Sequence, residues 1–267
     1  MTAAVRAELR KIFTTRLWWG MAIAVLVSGA AFAVLFAFVL TSDAVQGPQG
    51  AAVPSTDVAL AKAVFTGGLQ VGYLLTLAIG VLTIGSEYRH QTITGTFLAI
   101  PRRGRVMAAK VVTLLVVGAF YGVLSLAGAV GAGTLVLTSK GHHPFADPSV
   151  WRTVALSLLV LGMWALIGLG AGILIPNQVA ALLISVAVAW IVEPVLGLVL
   201  AITDWGKSIS PYLPSRATSA MLDTTGGGFD GQPIDQLSWW AGALVLMAYA
   251  AVMAGLGTWR TLRADIS

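Results

Sequence analysis

The sequence contains no cysteine and few charged residues. Asp, Glu, Lys and Arg make up 10% of its 267 residues, whereas about 25% is usual for soluble domains. Without cysteine the chain forms no disulfide bond, no thiolate nucleophile and no thiolate metal site. Because 57% of the residues are hydrophobic and the mean hydropathy is +0.87, the composition is typical of a membrane protein.

The sequence also lacks the alternation of apolar and polar residues that the strands of a transmembrane barrel show. It has instead six long apolar runs, and a helix needs about 20 such residues to span a bilayer. We therefore predict an all-α integral membrane protein with a single transmembrane domain over 1–267. The six transmembrane helices are predicted at 17–40, 60–85, 107–137, 152–175, 178–202 and 238–260.

Basic residues are distributed unevenly between the two sides of these runs. Eleven of the 16 Lys and Arg residues lie on the side of the N-terminus, and five lie on the other side. Segments rich in Lys and Arg remain in the cytoplasm, so both termini are predicted to be cytoplasmic, in a plasma membrane. A cleaved signal peptide is the alternative for the first run. Its apolar core would span about 7–15 residues, and the run 17–40 is longer.

Two segments outside the apolar runs have a pattern of their own. Residues 3–14, AAVRAELRKIFT, predict an amphipathic helix on the inner leaflet, with its basic groups near anionic head groups. This helix is either a surface anchor only or a lever joined to the first span. Residues 203–237 form the longest segment without a span, and we predict an external loop, with a short re-entrant helix within it.

The connector between the second and third runs concentrates charge in the stretch GSEYRHQTITGTFLAIPRRGRVMAAK, residues 85–110. Ile93, Phe97 and Ile100 recur at helical spacing, which predicts a short amphipathic helix over 88–100. Pro101 ends it, because proline cannot continue the hydrogen-bond pattern of a helix. A plain connector needs only about two to eight residues. A helix placed here can be held by a cytoplasmic partner and can transmit force to both adjoining spans.

The motifs of this connector are similar to those of a known family. The pattern G-x-E-x-x-x-x-T, then G-T, L-A-x-P, R-R and A-A-K, resembles the permease subunits of type-2 ATP-binding cassette (ABC) exporters. The resemblance implies that 88–100 is the coupling helix, seated in a cleft of a nucleotide-binding subunit. The residues that it implies for coupling to the ATPase are Glu87, Thr92, Gly95, Thr96 and Pro101. Arg89 and Phe97 of the same segment complete the predicted coupling residues.

The resemblance also implies the partners and cofactors of the chain. The sequence has no G-x-x-x-x-G-K-[ST] phosphate loop, so ATP and Mg²⁺ are expected on a separate ATPase subunit, in two copies, and no cofactor on this chain. A second permease copy or a sibling permease would complete the path. The expected activity is export of a lipophilic drug, peptide or lipid, with no catalytic residue and no nucleic acid partner.

Polar side chains within the apolar runs are candidates for the transport path. Glu193 is the one acid deep within a run, and Pro194 after it predicts a kinked or broken fifth helix. Glu193 is either a functional point on the path or a structural carboxylate satisfied by the external loop, through Arg216 or Lys207.

The second run carries a polar stripe. Thr66, Gln70 and Tyr73 recur at i, i+4 and i+7. The stripe either lines the path or forms hydrogen bonds to a neighbouring helix. Thr66, Gln70, Tyr73 and Glu193 are therefore the predicted path residues.

Other functions are less well supported by the sequence. His142, His143 and Asp147 form one metal-like cluster. The adjacent histidines point in different directions and no further ligand has suitable spacing, so we predict a solvated loop and no metal site. An intramembrane enzyme would need paired acids or a nucleophile with its base at one depth. A proton-coupled carrier would use Glu193 as its proton site, although carriers usually contain internal repeats, which we do not find here.

Overall fold

The computed structural model describes residues 2–42, 54, 56–92, 95, 103–175, 177–224 and 237–263. Of these described residues 86% are helical, and none lies in a β-strand. Six helices are long and apolar enough to cross a membrane. The predicted class, an all-α membrane protein with six transmembrane helices, is therefore confirmed.

The helices are named α1 to α11 in chain order. They are α1 Thr2–Phe13, α2 Leu17–Leu40, α3 Asp57–Thr66, α4 Leu69–Arg89, α5 Arg103–Ser139, α6 Ser149–Leu174, α7 Gln178–Ala187, α8 Glu193–Ala201, α9 Asp204–Ile209, α10 Pro214–Met221 and α11 Trp239–Arg263. A π-helix, Val188–Val192, joins α7 to α8, and a 3-10 helix, Ser210–Tyr212, joins α9 to α10. The six spans, in order, are α2, α3 with α4, α5, α6, α7 with α8, and α11.

The second and fourth spans form the centre of the bundle. In the most apolar stretch of each, 67% of the residues are buried, against 22% in the first, fifth and sixth spans. α4 packs along α6, α2 packs along α5, and α6 also contacts α5 and α11. The fifth span contacts the rest of the chain chiefly through α4, so most of its apolar surface is open.

Glycines allow the central helices to approach closely. A Cβ atom added at Gly168 on α6 would clash with the carbonyl oxygen of Leu77 on α4. A Cβ atom at Gly80 on α4 would clash in turn with the carbonyl oxygen of Ala165. Apolar side chains gain little by leaving lipid, so close packing of backbones is a main source of helix association in a membrane. These glycines therefore serve packing within the chain.

Two spans are irregular. Gly67 and Gly68 separate α3 from α4, an interruption that the sequence analysis did not predict within 60–85. In the fifth span, the N–H of Glu193 donates to the carbonyl oxygen of Val188, five residues earlier, as in a π-helix. The predicted irregularity at Pro194 thus takes the form of a π-helix just before the proline, and the helix continues through it.

Several predicted features fall outside the described residues. The coupling helix predicted over 88–100 is described only through residue 92 and at Gly95, and Thr96, Phe97 and Pro101 are not described. In the segment predicted as an external loop, α9, the 3-10 helix and α10 are described, and residues 225–236 are not. α10 packs against α11 and buries Ala217, Thr218, Ala220 and Met221.

We expect Gly168→Leu to destabilise the bundle by about 3 kcal/mol or more, because the added side chain forces α4 and α6 apart. The measurement is thermal unfolding of the purified protein in detergent. Gly131→Leu is the matched control, since Gly131 lies in a span with open space around its Cβ position. Equal stability of the two variants would contradict the close packing of α4 and α6.

Candidate functional site

Four charged side chains from three helices form a buried cluster at the end of the bundle where α1 lies. We call Glu8, Lys11, Glu87 and Lys110 the charge cluster. The Nζ atom of Lys110 on α5 donates to Glu8 Oε2 at 2.7 Å and to Glu87 Oε1 at 2.6 Å. Lys11 Nζ donates to Glu8 Oε1 at 2.7 Å and to Glu87 Oε1 at 2.9 Å. Two positive and two negative groups therefore neutralise one another.

The charge cluster is shielded from solvent. Lys110 is 0% exposed, and Glu8 and Glu87 are 4% and 5% exposed. Only Lys11 reaches the surface, with 43% of its side chain exposed. Removing one partner from a buried ion pair costs about 3–5 kcal/mol, because the remaining charge is left without compensation. Each of the three buried members therefore depends on the others.

The pKa values of the two members on α1 reflect this mutual dependence. Burial alone would raise the pKa of the Glu8 carboxyl, but Lys110 and Lys11 outweigh it and lower the pKa below its ordinary value. Burial would lower the pKa of the Lys11 ammonium, but hydrogen bonds to Glu8 and Glu87 raise it. Both groups are thus held in their charged forms.

The charge cluster connects the two ends of the predicted coupling segment. Glu87 lies near the end of α4, before this segment, and Lys110 lies on α5, after it. Their ion pair brings together positions 23 residues apart in sequence. Glu8 and Lys11 attach α1 to both positions. Helix α1, the end of the second span and the start of the third span are therefore one electrostatically linked unit.

Other predicted coupling residues lie beside this unit. α4 ends at Arg89, which is exposed, and Gln91 then takes a left-handed backbone conformation with φ of 54°. Such a conformation is uncommon for a residue other than glycine and is typical of the position just after the end of a helix. Thr92 follows it, and Gly95 is exposed with open space around its Cβ position.

The predicted path residues divide into two groups. The Thr66 hydroxyl donates to the carbonyl oxygen of Lys62 in its own helix at 2.7 Å. Gln70, Tyr73 and Glu193 come together in the half of the bundle far from α1. The Gln70 side chain lies next to the Tyr73 hydroxyl, and the Glu193 carboxylate is within electrostatic range of Tyr73.

Glu193 is held by the segment predicted as the external loop. Its Oε1 atom accepts a hydrogen bond from the backbone N–H of Ser215, in the first turn of α10. Neither Arg216 nor Lys207, which we considered as partners, forms an ion pair with Glu193. The geometry thus supports a carboxylate held by this segment, chiefly through Ser215 of α10.

No sequence pattern indicates the aromatic contacts around this site. Tyr73 stacks on Trp164 of α6 with ring centroids 4.2 Å apart, and the Trp164 Nε1–H donates to the Thr218 hydroxyl at 3.1 Å. Trp164 belongs to an apolar run, and only the tertiary structure shows that its indole reaches α10. α10 is therefore bound to the fourth span as well as to the fifth.

A second group of ion pairs lies at the far end of the bundle. Lys62 Nζ donates to Asp223 Oδ2 at 2.7 Å, and Arg152 Nη2 lies 3.4 Å from the same oxygen. Asp223 has φ of 54° and follows α10. These two ion pairs connect the segment after α10 to the second and fourth spans.

The predicted metal-like cluster is a set of polar contacts. His142 Nδ1 lies 2.8 Å from Asp57 Oδ1, and the His143 N–H donates to Asp57 Oδ2 at 3.0 Å. Asp147 accepts instead from the N–H of Ser149, at the start of α6. Over the described ranges, no group of three His, Asp or Glu residues is placed to hold a metal ion.

Comparison with protein-family models gives no match to this chain, and comparison with curated proteins gives none either.

We expect Lys110→Met to destabilise the protein by about 3–5 kcal/mol, because two buried carboxylates would retain only the half-exposed Lys11. Thermal unfolding in detergent measures the effect. Lys207→Met is the matched control, since the Lys207 side chain is 65% exposed and its partner Asp204 is fully exposed; it should change stability little. A loss no larger than that of the control would show that the charge cluster is not essential.

The contribution of Glu8 to stability should depend on pH in one direction. A carboxyl whose pKa is lowered by folding stabilises the protein above its ordinary pKa, near 4.5, and this contribution is lost as the pH falls through the folded value. The stability advantage of the wild type over Glu8→Gln should therefore be constant between about pH 6 and 9 and shrink below about pH 4.5. Unfolding curves of both proteins across this range provide the measurement. An advantage that grows on acidification would contradict the arrangement.

Proposed function

We propose that this chain is the membrane-spanning subunit of an ABC exporter, driven by a separate ATPase subunit through the segment 88–100. The observation that carries the proposal is the buried ion pair between Glu87 and Lys110, with α1 attached to both residues. This ion pair holds the two ends of the segment together and fixes them to the bundle. The motifs of the same segment resemble those of type-2 ABC permeases, which is the second support.

The arrangement suits the transmission of force. A partner that grips 88–100 pulls on Glu87 at the end of the second span and on Lys110 in the third span. Because the Glu87–Lys110 pair is shielded from water, its electrostatic attraction is stronger than that of a surface pair. The pull therefore reaches both spans and α1 together. The second span is central in the bundle, so its displacement would alter the packing of the fourth span too.

The remaining parts of the proposal follow from this role. ATP and Mg²⁺ would bind to the partner ATPase, in two copies, and this chain would form and break no covalent bond. The charge cluster would face the cytoplasm, with both termini on that side of a plasma membrane, as the distribution of Lys and Arg favours. A second permease copy or a sibling permease would complete the path, and the substrate would be a lipophilic compound.

Two substitutions test the role of the predicted coupling segment. Phe97→Asp places a charge on the apolar face predicted for the segment, and Gly95→Trp adds bulk at an exposed position with open space around it. We expect either variant to reduce co-purification of the ATPase and ATP-driven transport about tenfold or more, with membrane insertion unchanged. Full transport by both variants would reduce this segment to a plain connector.

The matched control is Gly131→Trp, which introduces the same side chain at an exposed position of α5. It should retain the ATPase and transport. The assay is pull-down of the tagged chain from cells that express the ATPases encoded beside its gene, followed by transport into inverted vesicles. If the chain recovers none of them and ATP drives no transport with any, the proposed function is wrong.

A further inference from the structure

The exposed surface around α1 carries positive charge only. Both acids described at this end of the bundle, Glu8 and Glu87, are compensated by lysines within the charge cluster. Three exposed arginines on α1 or just after it remain, and we call them the basic surface: Arg6, Arg10 and Arg16. None of the three forms an ion pair with another residue that the structure describes. Their charge is therefore available to an anionic partner.

α1 turns its apolar side to the bundle and its basic side outward. Leu9 and Ile12 pack against the hydrophobic core, and Glu8 is buried. Arg6 and Arg10 each lie about 160° around the helix axis from Glu8, at 3.6 residues per turn. The bundle thus occupies the apolar side of α1, and the side left for a partner carries the arginines.

Exposed apolar side chains lie next to the basic surface. Phe13 follows Arg10 by three residues, and Leu17 and Trp19 follow Arg16. Their exposed fractions are 37%, 46% and 51%. They lead into the first span, in which only 22% of the most apolar stretch is buried by the chain. Arginines beside exposed aromatic and aliphatic groups at the start of a span are typical of the interface between lipid head groups and acyl chains.

Aromatic contacts fix the junction of α1 and α2 to α5. The Phe13 ring packs edge to face on Trp18 and on Phe120, with centroids 5.5 Å and 5.7 Å apart. The Tyr121 hydroxyl donates to the carbonyl oxygen of Trp18 at 3.1 Å. The arginines on either side of Phe13 are therefore carried by a backbone that is held in place. Binding to such a surface requires little further ordering of the chain.

An anionic phospholipid matches this combination of groups better than an acidic protein does. Its phosphate can accept charge-assisted hydrogen bonds from the guanidinium groups, and its acyl chains can cover the apolar side chains. An acidic protein surface would match the arginines only. It would leave Leu17 and Trp19 beside charged groups.

We propose that the basic surface binds the head group of an anionic phospholipid, whose acyl chains lie against Phe13, Leu17 and Trp19. The charge cluster joins α1 to both ends of the segment 88–100. A lipid bound to α1 would therefore stabilise the position of α1 that this connection needs, and ATP-driven transport would require anionic lipid. This second statement rests on the proposed function, whereas lipid binding does not.

Phosphatidylglycerol is the anionic probe, and phosphatidylcholine, which has no net charge, is the comparison. Native mass spectrometry of the purified full chain in detergent measures the affinity for each lipid. Arg10→Gln and Arg16→Gln should each weaken phosphatidylglycerol binding about fivefold, and the double variant about 25-fold, as expected for basic groups near an anionic surface. Affinity for phosphatidylcholine should stay unchanged. Equal phosphatidylglycerol affinity of the wild type and the double variant overturns the proposal.

Arg105→Gln is the matched control for charge. Arg105 is exposed at the same end of the bundle and lies five residues before Lys110, about 140° from it around the axis of α5. Its replacement removes the same charge and leaves the basic surface intact. Affinity for phosphatidylglycerol should stay within about twofold of the wild type. A loss as large as that in Arg10→Gln would show a diffuse attraction of anions and would also overturn the proposal.

Measurements on the wild type cover the case in which a variant does not fold. The wild type should bind phosphatidylglycerol about tenfold or more tightly than phosphatidylcholine, and equal affinities contradict the proposal. Glycerol 3-phosphate has the same phosphate chemistry without acyl chains. It should not displace phosphatidylglycerol at a hundredfold excess. Displacement would show that the arginines take free phosphate, and the lipid site would be rejected.

The outcomes separate this inference from the proposed function. Phosphatidylglycerol binding that depends on Arg10 and Arg16, together with failure to recover any ATPase, would retain the lipid site and reject the ABC exporter. Recovery of the ATPase, with lipid affinity indifferent to these arginines, would retain the exporter and reject the lipid site. Loss of the ATPase from the double variant, with unchanged affinity for phosphatidylglycerol, would assign the arginines to a protein partner and overturn the proposal.

Discussion

The burial of the Lys110 ammonium group is the constraint on which one end of this structure depends. A lysine without solvent contact requires anionic partners, and here they come from two different helices, Glu8 on α1 and Glu87 on α4. Neither carboxylate would be stable at this depth alone. The amphipathic helix α1 is therefore held to the bundle by charge. We considered α1 as a surface anchor only or as a lever joined to the first span, and this attachment favours a lever. The ion pairs join that lever to the second and third spans.

The far end of the bundle is organised by a different set of contacts around α10. Ser215 binds Glu193 of the fifth span, Thr218 binds Trp164 of the fourth, and Asp223 after α10 binds Lys62 of the second. One short segment thus bridges three spans. The Ser215 N–H, the Thr218 hydroxyl and the Asp223 carboxylate all form their contacts within the chain.

α4 connects the two ends physically. Tyr73, near Glu193, and Glu87, in the charge cluster, lie on this one helix, about 21 Å apart along its axis at 1.5 Å per residue. α4 is one continuous helix over this stretch, and its close packing against α6 through glycines leaves it little room to bend. A change imposed on Glu87 would therefore reach the surroundings of Tyr73. α4 thus connects the two sites in space. The proposed mechanism requires that it also couples them.

The sequence by itself determined the fold class and singled out two of the buried acids, Glu87 and Glu193. Apolar runs of sufficient length specify helices in lipid, because every backbone group must be bonded within the segment. Glu87 was identified from a local motif, and Glu193 from its rarity within an apolar run. Only the tertiary structure decided their partners. Lys110 looked like one basic residue of the connector, and Glu8 like a polar residue of a surface helix, since ion pairs between residues about 100 positions apart leave no periodic trace. Ser215 donates a hydrogen bond to Glu193 from its backbone N–H. Every residue except proline carries this group, so no sequence pattern predicts the contact.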